Sequence, residues 1–75
     1  MFNKNFFAER LSELRAFHKL TTVALANEIG VSKQAISQFE KAQNYPHCNT
    51  LIALADYFNV SLDYLVGRSD VKERR

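Results

Sequence analysis

The stretch LTTVALANEIGVSKQAISQFE, residues 20–40, predicts two short helices joined by a tight turn. Thr21 is a residue type that caps helices, because its hydroxyl can accept a hydrogen bond from a free N–H of the first turn. We therefore predict a helix from about Thr22 to Ile29. Gly30 follows it, and glycine is the residue expected where a helix closes in the left-handed conformation.

The second helix of this stretch is predicted to begin at Ser32. With Ser32 as N-cap, Val31 precedes the cap and Ile36 is the fourth helical residue, which is the spacing of a hydrophobic staple. The segment from about Thr22 to Lys41 thus has the sequence shape of a helix-turn-helix unit, two short helices around a Gly-containing turn.

Apolar periodicity predicts two further helices, one on each side of this unit. The first extends from about Phe6 to His18, with Asn5 as its candidate N-cap. After the unit, Tyr45-Pro46 indicates a loop, because proline disfavours the helical conformation in the residue before it. A fourth helix follows, built on apolar residues at helical spacing: Leu51, Ile52, Leu54, Ala55 and Phe58.

The signals that open the second helix of the unit appear again near the C-terminus. Val60 precedes Ser61, and Leu65 is the corresponding fourth helical residue, so a second staple predicts a short final helix ending at Gly67. No strand-like alternation or internal repeat competes with the helical periodicity. The sequence therefore predicts an all-α fold, one compact bundle of five helices.

Length and composition restrict the chain to a single folded domain. Its 75 residues suffice for one small core, and a hydrophobic content of 47% without a long apolar run favours neither disorder nor a membrane span. The N-terminus lacks the pattern of a secretory signal, so we expect the protein in the cytoplasm. We assign residues 1–70 to the domain and residues 71–75 to a short charged tail.

Residue types that carry catalysis or bind metals are scarce. Cys48 is the single cysteine, which excludes an internal disulfide, and we expect it to be a small buried side chain. His18 and His47 have no evident carboxylate or serine partner. We therefore expect no enzyme activity, no metal and no cofactor.

The polar face of the predicted third helix is the candidate functional feature. Ile36 and Phe39 belong to the core, which leaves four outward residues: Lys33, Gln34, Ser37 and Gln38. Glutamine can pair with adenine, lysine with guanine, and serine with bases or phosphates. The same pattern also describes the solvated face of an ordinary amphipathic helix, and a net charge of only +2 does not decide between the two interpretations.

A family resemblance favours the nucleic-acid interpretation. The chain resembles the phage-repressor and Cro type of helix-turn-helix domain, also called the xenobiotic-response-element family. Its matching segments span Phe7 to Asp70 and include Arg10-Leu11, Leu14-Arg15, Ile29-Gly30-Val31-Ser32, Phe39-Glu40, Pro46 and Val60-Ser61-Leu62-Asp63-Tyr64-Leu65-Val66-Gly67. The resemblance implies a lambda-repressor-like arrangement in which helices two and three form the helix-turn-helix.

The resemblance also implies roles for individual residues. The helix opened by Ser32 would lie in the major groove of duplex DNA, with base contacts from Lys33, Gln34 and Gln38. Backbone or supporting contacts would come from Thr22, Ser32, Ser37, Lys41, Gln43 and Asn44. Dimers of this type bind half-sites about one helical turn apart, so a palindromic operator is expected.

Two structural features are expected from the same resemblance. Arg15 and Glu40 would form a partly buried ion pair between helix one and the end of helix three, although two independent surface charges remain the alternative. A dimer patch near helix five would involve Tyr64 and Val66, while Tyr57 and Tyr64 are individually expected in the core.

The chain departs from the family pattern in five places, one of which is Val23, where the family commonly has a polar residue. Thr22 stands where the family usually has glutamine, Lys19 and Ala42 stand where glycine is frequent, and His47 takes the place of a Ser or Thr cap. Thr22 is the most consequential of these, because a threonine hydroxyl can replace only part of what the longer glutamine does.

The predicted function is that of a transcriptional regulator that binds double-stranded DNA sequence-specifically. It would be a repressor that acts as a homodimer at the nucleoid. The alternative is a protein-interaction module on the same fold, such as an antitoxin or a regulator-binding subunit. Neither a membrane nor a small-molecule ligand is predicted.

Overall fold

Five α-helices follow one another in the computed structural model, which describes residues 4–67. They are α1 (Lys4–Phe17), α2 (Thr22–Ile29), α3 (Lys33–Glu40), α4 (Cys48–Phe58) and α5 (Leu62–Leu65). No strand occurs within these residues, so the all-α, five-helix prediction is confirmed. The predicted tail, residues 71–75, and the domain boundary at residue 70 lie outside the described residues.

Three of the helices begin at the caps that the sequence predicts. Thr21, Ser32 and Ser61 are all extended, and each side-chain oxygen accepts a hydrogen bond of 3.0–3.1 Å from the N–H three residues later. Gly30 closes α2 in the left-handed conformation with a φ of 87°. Helix α5 begins as predicted and ends at Leu65, with Val66 as its C-cap and Gly67 at a φ of 84°.

The predicted start of α1 and the predicted burial of Cys48 are wrong. Helix α1 already includes Lys4, so Asn5 lies in its first turn and is not its N-cap. Neither Pro nor Gly precedes Asn5 to stop the helix there. Cys48 is exposed, because it is the first residue of α4 and the side of the helix that meets the core begins only at Leu51.

All five helices contribute to one hydrophobic core. Its fully buried side chains are Phe7, Leu11, Leu25, Ile36, Leu54 and Leu65. Burial of each such side chain stabilises the fold by about 1.5–3 kcal/mol relative to exposure. The rings of Phe7 and Phe39 meet edge to face with centroids 6.1 Å apart and hold α3 against α1. The outward side of α3 is thereby fixed relative to the rest of the domain.

The tyrosines follow the prediction only in part. Tyr64 is buried, as expected, whereas Tyr57 keeps 40% of its surface exposed. Because Tyr64 and Val66 are both buried, they cannot themselves form an exposed dimer patch, and that expectation is wrong for these two residues. The guanidinium of Arg10 covers Tyr64, lying 4.1 Å from the ring centroid and donating from Nη1 to the Tyr64 carbonyl at 2.9 Å.

The helices of residues 4–67 are too short and too polar for any of them to cross a lipid bilayer.

Candidate nucleic-acid interface

The turn between α2 and α3 is fixed by backbone hydrogen bonds. The N–H groups of Gly30 and Val31 both donate to the carbonyl of Ala26, at 2.8 and 3.0 Å. Val31 packs half-buried against the core and Ile36 is fully buried, in agreement with the predicted staple around Ser32. The geometry is that of a rigid helix-turn-helix.

The predicted base-contacting residues share the outward side of α3. Lys33, Gln34 and Gln38 are exposed and Ser37 is half-buried, whereas Ile36 and Phe39 lie in the core. At 3.6 residues per turn, the four polar residues cover an arc of about 140°. Within residues 4–67, none of these four side chains has a hydrogen-bonding or ionic partner, so their donors and acceptors are available to a ligand.

The predicted supporting residues lie at the start of α2 and in the segment after α3. Thr22 is the half-buried first residue of α2, and Ser32 uses its hydroxyl to cap α3. Lys41 is the exposed C-cap of α3, and Gln43 and Asn44 are exposed in the loop that follows.

Hydrogen bonds define the conformation of the loop after α3. The N–H of Gln43 donates to the carbonyl of Gln38 at 2.9 Å, and that of Ala42, in the left-handed conformation, donates to Phe39 at 3.2 Å. Farther along, the N–H of Tyr45 donates to the side-chain oxygen of Asn44 at 2.9 Å. The exposed polar residues of the loop are therefore presented on an ordered backbone.

Arg15 and Glu40 form the ion pair that the family resemblance implies. Arg15 Nε lies 2.6 Å from Glu40 Oε2 and Arg15 Nη2 lies 3.0 Å from Glu40 Oε1. These hydrogen bonds to Glu40 raise the pKa of Arg15, against the opposing effect of its burial. Glu40 is the one acidic residue of α3, and its charge is compensated by Arg15. The outward side of α3 thus carries Lys33 and no uncompensated carboxylate.

Two contacts that shape the site have no signal in the sequence pattern. Arg15 Nη1 donates to the carbonyl of Leu20 at 2.9 Å, which fastens the turn before α2 to α1. Arg10 fastens α5 to α1 through Tyr64, across 54 residues of chain. Periodicity and capping signals relate residues a few positions apart, so they do not predict contacts of this kind.

These features define the class of protein: a small all-α domain with a rigid helix-turn-helix and an unpartnered polar face on its second helix. Residues 11–65 match the family model described as Helix-turn-helix. The chain belongs to this helix-turn-helix family.

Named relatives of the chain are transcriptional regulators and phage repressors. It is 38% identical over 64 residues to the uncharacterized HTH-type transcriptional regulator YobD of Bacillus subtilis, covering 85% of this chain and 57% of that protein. It is 36% identical over 64 residues to repressor protein C2 of Salmonella phage P22, covering 85% of this chain and 30% of the repressor. The chain thus spans less than two thirds of these curated relatives.

A solved structure agrees closely with the fold. The crystal structure of the P22 c2 repressor in complex with a synthetic operator superposes with a TM-score of 0.81 at 34% identity, covering 85% of this chain and 97% of that chain. The lambda-repressor-like arrangement expected from the sequence is thereby confirmed.

Proposed function

We propose that this chain is a sequence-specific DNA-binding regulator of transcription, acting as a repressor, with α3 lying in the major groove. The observation that carries the proposal is the outward side of α3, where Lys33, Gln34 and Gln38 are exposed and unpartnered on a rigidly held helix. The similarity to a repressor solved on its operator supports the same conclusion. The named relatives are regulators, in agreement with a role other than catalysis.

The proposed contacts divide into base readout and backbone positioning. Lys33, Gln34 and Gln38 contact base edges, since amine and carboxamide groups complement guanine and adenine in the major groove. Six residues contact the backbone or support those contacts: Thr22, Ser32, Ser37, Lys41, Gln43 and Asn44. Phosphate contacts fix the register of the protein without reading sequence.

The proposed active species is a homodimer on a palindromic operator. Two helix-turn-helix units related by a two-fold axis bind half-sites about 34 Å apart, one turn of the duplex. The site of action is the nucleoid in the cytoplasm.

Selection of duplexes from a random library, followed by sequencing, tests the proposal. We expect enrichment of a palindrome whose binding weakens steeply with salt, with a log–log slope near −0.9 for each phosphate contacted. Lys33→Ala and Gln38→Ala should each reduce the preference for that palindrome while circular dichroism shows an intact fold. Ser12→Ala, which removes a polar side chain from α1, is the control and should bind as the wild type does.

The proposal would be overturned if the selection enriched no duplex whose binding is salt-sensitive. If Lys33→Ala and Gln38→Ala instead weakened only a complex with a protein partner, the outward side of α3 would belong to a protein-interaction module such as an antitoxin.

A further inference from the structure

The outward side of α3 carries neither a guanidinium nor an uncompensated carboxylate. It presents two carboxamides, from Gln34 and Gln38, together with one amine from Lys33 and the half-buried hydroxyl of Ser37. It presents no guanidinium, because α3 contains no arginine, and its one carboxylate is bound to Arg15. Carboxamides therefore provide most of the hydrogen-bonding capacity of this surface.

A carboxamide matches one base better than the other three. Adenine presents the N7 acceptor beside an N6 hydrogen, so a glutamine can donate to one and accept from the other. Guanine offers two acceptors at the same edge, cytosine a donor and thymine an acceptor, and each leaves half of the carboxamide without a partner. Leaving a polar group unpaired in a contact surface is unfavourable, so adenine is the preferred partner.

The spacing of the two glutamines fits adenines within one half-site. Gln34 and Gln38 are four residues apart, which places them on the same side of α3 with an axial separation of about 6 Å. Stacked bases are about 3.4 Å apart along the duplex, so the two carboxamides can reach bases roughly two steps apart.

We propose that Gln34 and Gln38 read adenine at its N6–N7 edge, and that N6-methylation of those adenines therefore weakens binding. This inference rests on the proposed function. In a base pair, N6-methyladenine keeps its remaining N6 hydrogen for thymine, and the methyl group occupies the major-groove position. Methylation thus removes the donor that the glutamine oxygen needs and puts an apolar group in its place. Methylation of adenines within the half-site would then regulate how much of the operator the protein occupies.

The test uses the duplex selected above, synthesised with N6-methyladenine at one adenine at a time. A parallel series carries 7-deazaadenine, which replaces the N7 acceptor by C–H. We expect each substitution at a contacted adenine to weaken wild-type binding by roughly 5- to 150-fold, the range corresponding to one bidentate base contact. Substitution at flanking adenines should have no effect.

Variants assign each effect to a side chain. Gln38→Ala should bind equally well to the unmethylated duplex and to the duplex methylated at the adenine that Gln38 reads. Gln34→Ala should likewise be insensitive to methylation at the other adenine. Ser12→Ala, on α1, is the control and should retain the full sensitivity to methylation at both positions.

Three results would overturn the inference. Wild-type binding to the selected duplex could be insensitive to every adenine substitution, and the proposed function would then survive. Persistence of the methylation effect in both glutamine variants would likewise assign it to other residues. If wild type selects no duplex at all, the proposed function fails and this inference fails with it.

Discussion

Arg15 and Glu40, 25 residues apart in the chain, form a two-point contact that joins α1 to the last residue of α3. The third donor of the same guanidinium, Nη1, holds the carbonyl of Leu20 in the turn before α2. One side chain therefore fixes α1, the α1–α2 turn and α3 relative to one another. The planar fork of arginine suits this arrangement, and lysine could not reproduce it.

Loss of this contact should destabilise the fold before it affects any base contact directly. Both side chains are partly exposed, so we expect Glu40→Ala to cost about 1–2 kcal/mol, between the values for surface and buried pairs. For a domain of this size, each kcal/mol lowers the Tm by roughly 4–8 °C. Thermal unfolding followed by circular dichroism measures the change.

Glu28→Ala is the control for this substitution, since Glu28 is an exposed carboxylate on α2 and should change stability by no more than about 0.5 kcal/mol. An unchanged Tm in Glu40→Ala, together with lost DNA binding, would contradict the structural role of the ion pair.

The ion pair should also persist in mild alkali. The pKa of Arg15 is raised by Glu40, so the stabilisation is fully present below the pKa of the unfolded chain and is lost only as pH rises above the folded value. The difference in Tm between wild type and Glu40→Ala should therefore stay constant between about pH 7 and 9, well below the ordinary pKa of arginine. A difference that shrinks over this range would show that another group determines it.

Gly30 and Gly67 have similar backbone conformations and differ in their surroundings. Both have a positive φ, but a Cβ added at Gly30 meets nothing within 4 Å, whereas one at Gly67 would lie 2.5 Å from the Cβ of Phe6. Gly30→Ala should cost about 1–2 kcal/mol through backbone strain alone. Gly67→Ala should cost more, because α1 or the end of α5 must also move. Urea unfolding of the two variants compares them, and equal losses would mean that the contact with Phe6 relaxes freely.

His47 leaves α4 without the side-chain cap that α2, α3 and α5 have. Its backbone already has the extended conformation of an N-cap, but its side chain makes no capping hydrogen bond. By analogy with Ser32 and Ser61, a serine at this position would accept from the N–H of Thr50. His47→Ser should stabilise the domain by about 0.5–1 kcal/mol. His47→Ala is the control, and a serine variant no more stable than the alanine variant would show that the cap does not form.

Local signals predicted most of the fold because the physics behind them is local. Ser32 and Ser61 each cap an N–H three residues away, and the apolar side of α3 follows from helical periodicity. The same reasoning placed Lys33, Gln34 and Gln38 on the outward side of α3, while their contacts with bases stay a prediction.

The errors concern the burial of individual residues and the start of α1. Tyr64 and Val66 are buried, although the resemblance suggested an exposed patch, and Tyr64 is covered by Arg10, which lies 54 residues away in the chain. Residue type alone suggested burial for Cys48, but its position at the start of α4 exposes it. The start of α1 was misjudged because a capping residue type caps only when its backbone leaves the helix, and that of Asn5 does not.

Lys41 and Gln38 should separate the two kinds of DNA contact. Lys41 is the exposed C-cap of α3 and has no acidic partner within residues 4–67, so its proposed contact is with a phosphate. Lys41→Ala should weaken binding equally for matched and mismatched duplexes and make the log–log salt slope shallower by about 0.9. Gln38→Ala removes no charge, so it should leave the slope unchanged and reduce discrimination between duplexes. Titrations at several salt concentrations measure both quantities, and a changed slope in Gln38→Ala with an unchanged one in Lys41→Ala would reverse the assignment of the two residues.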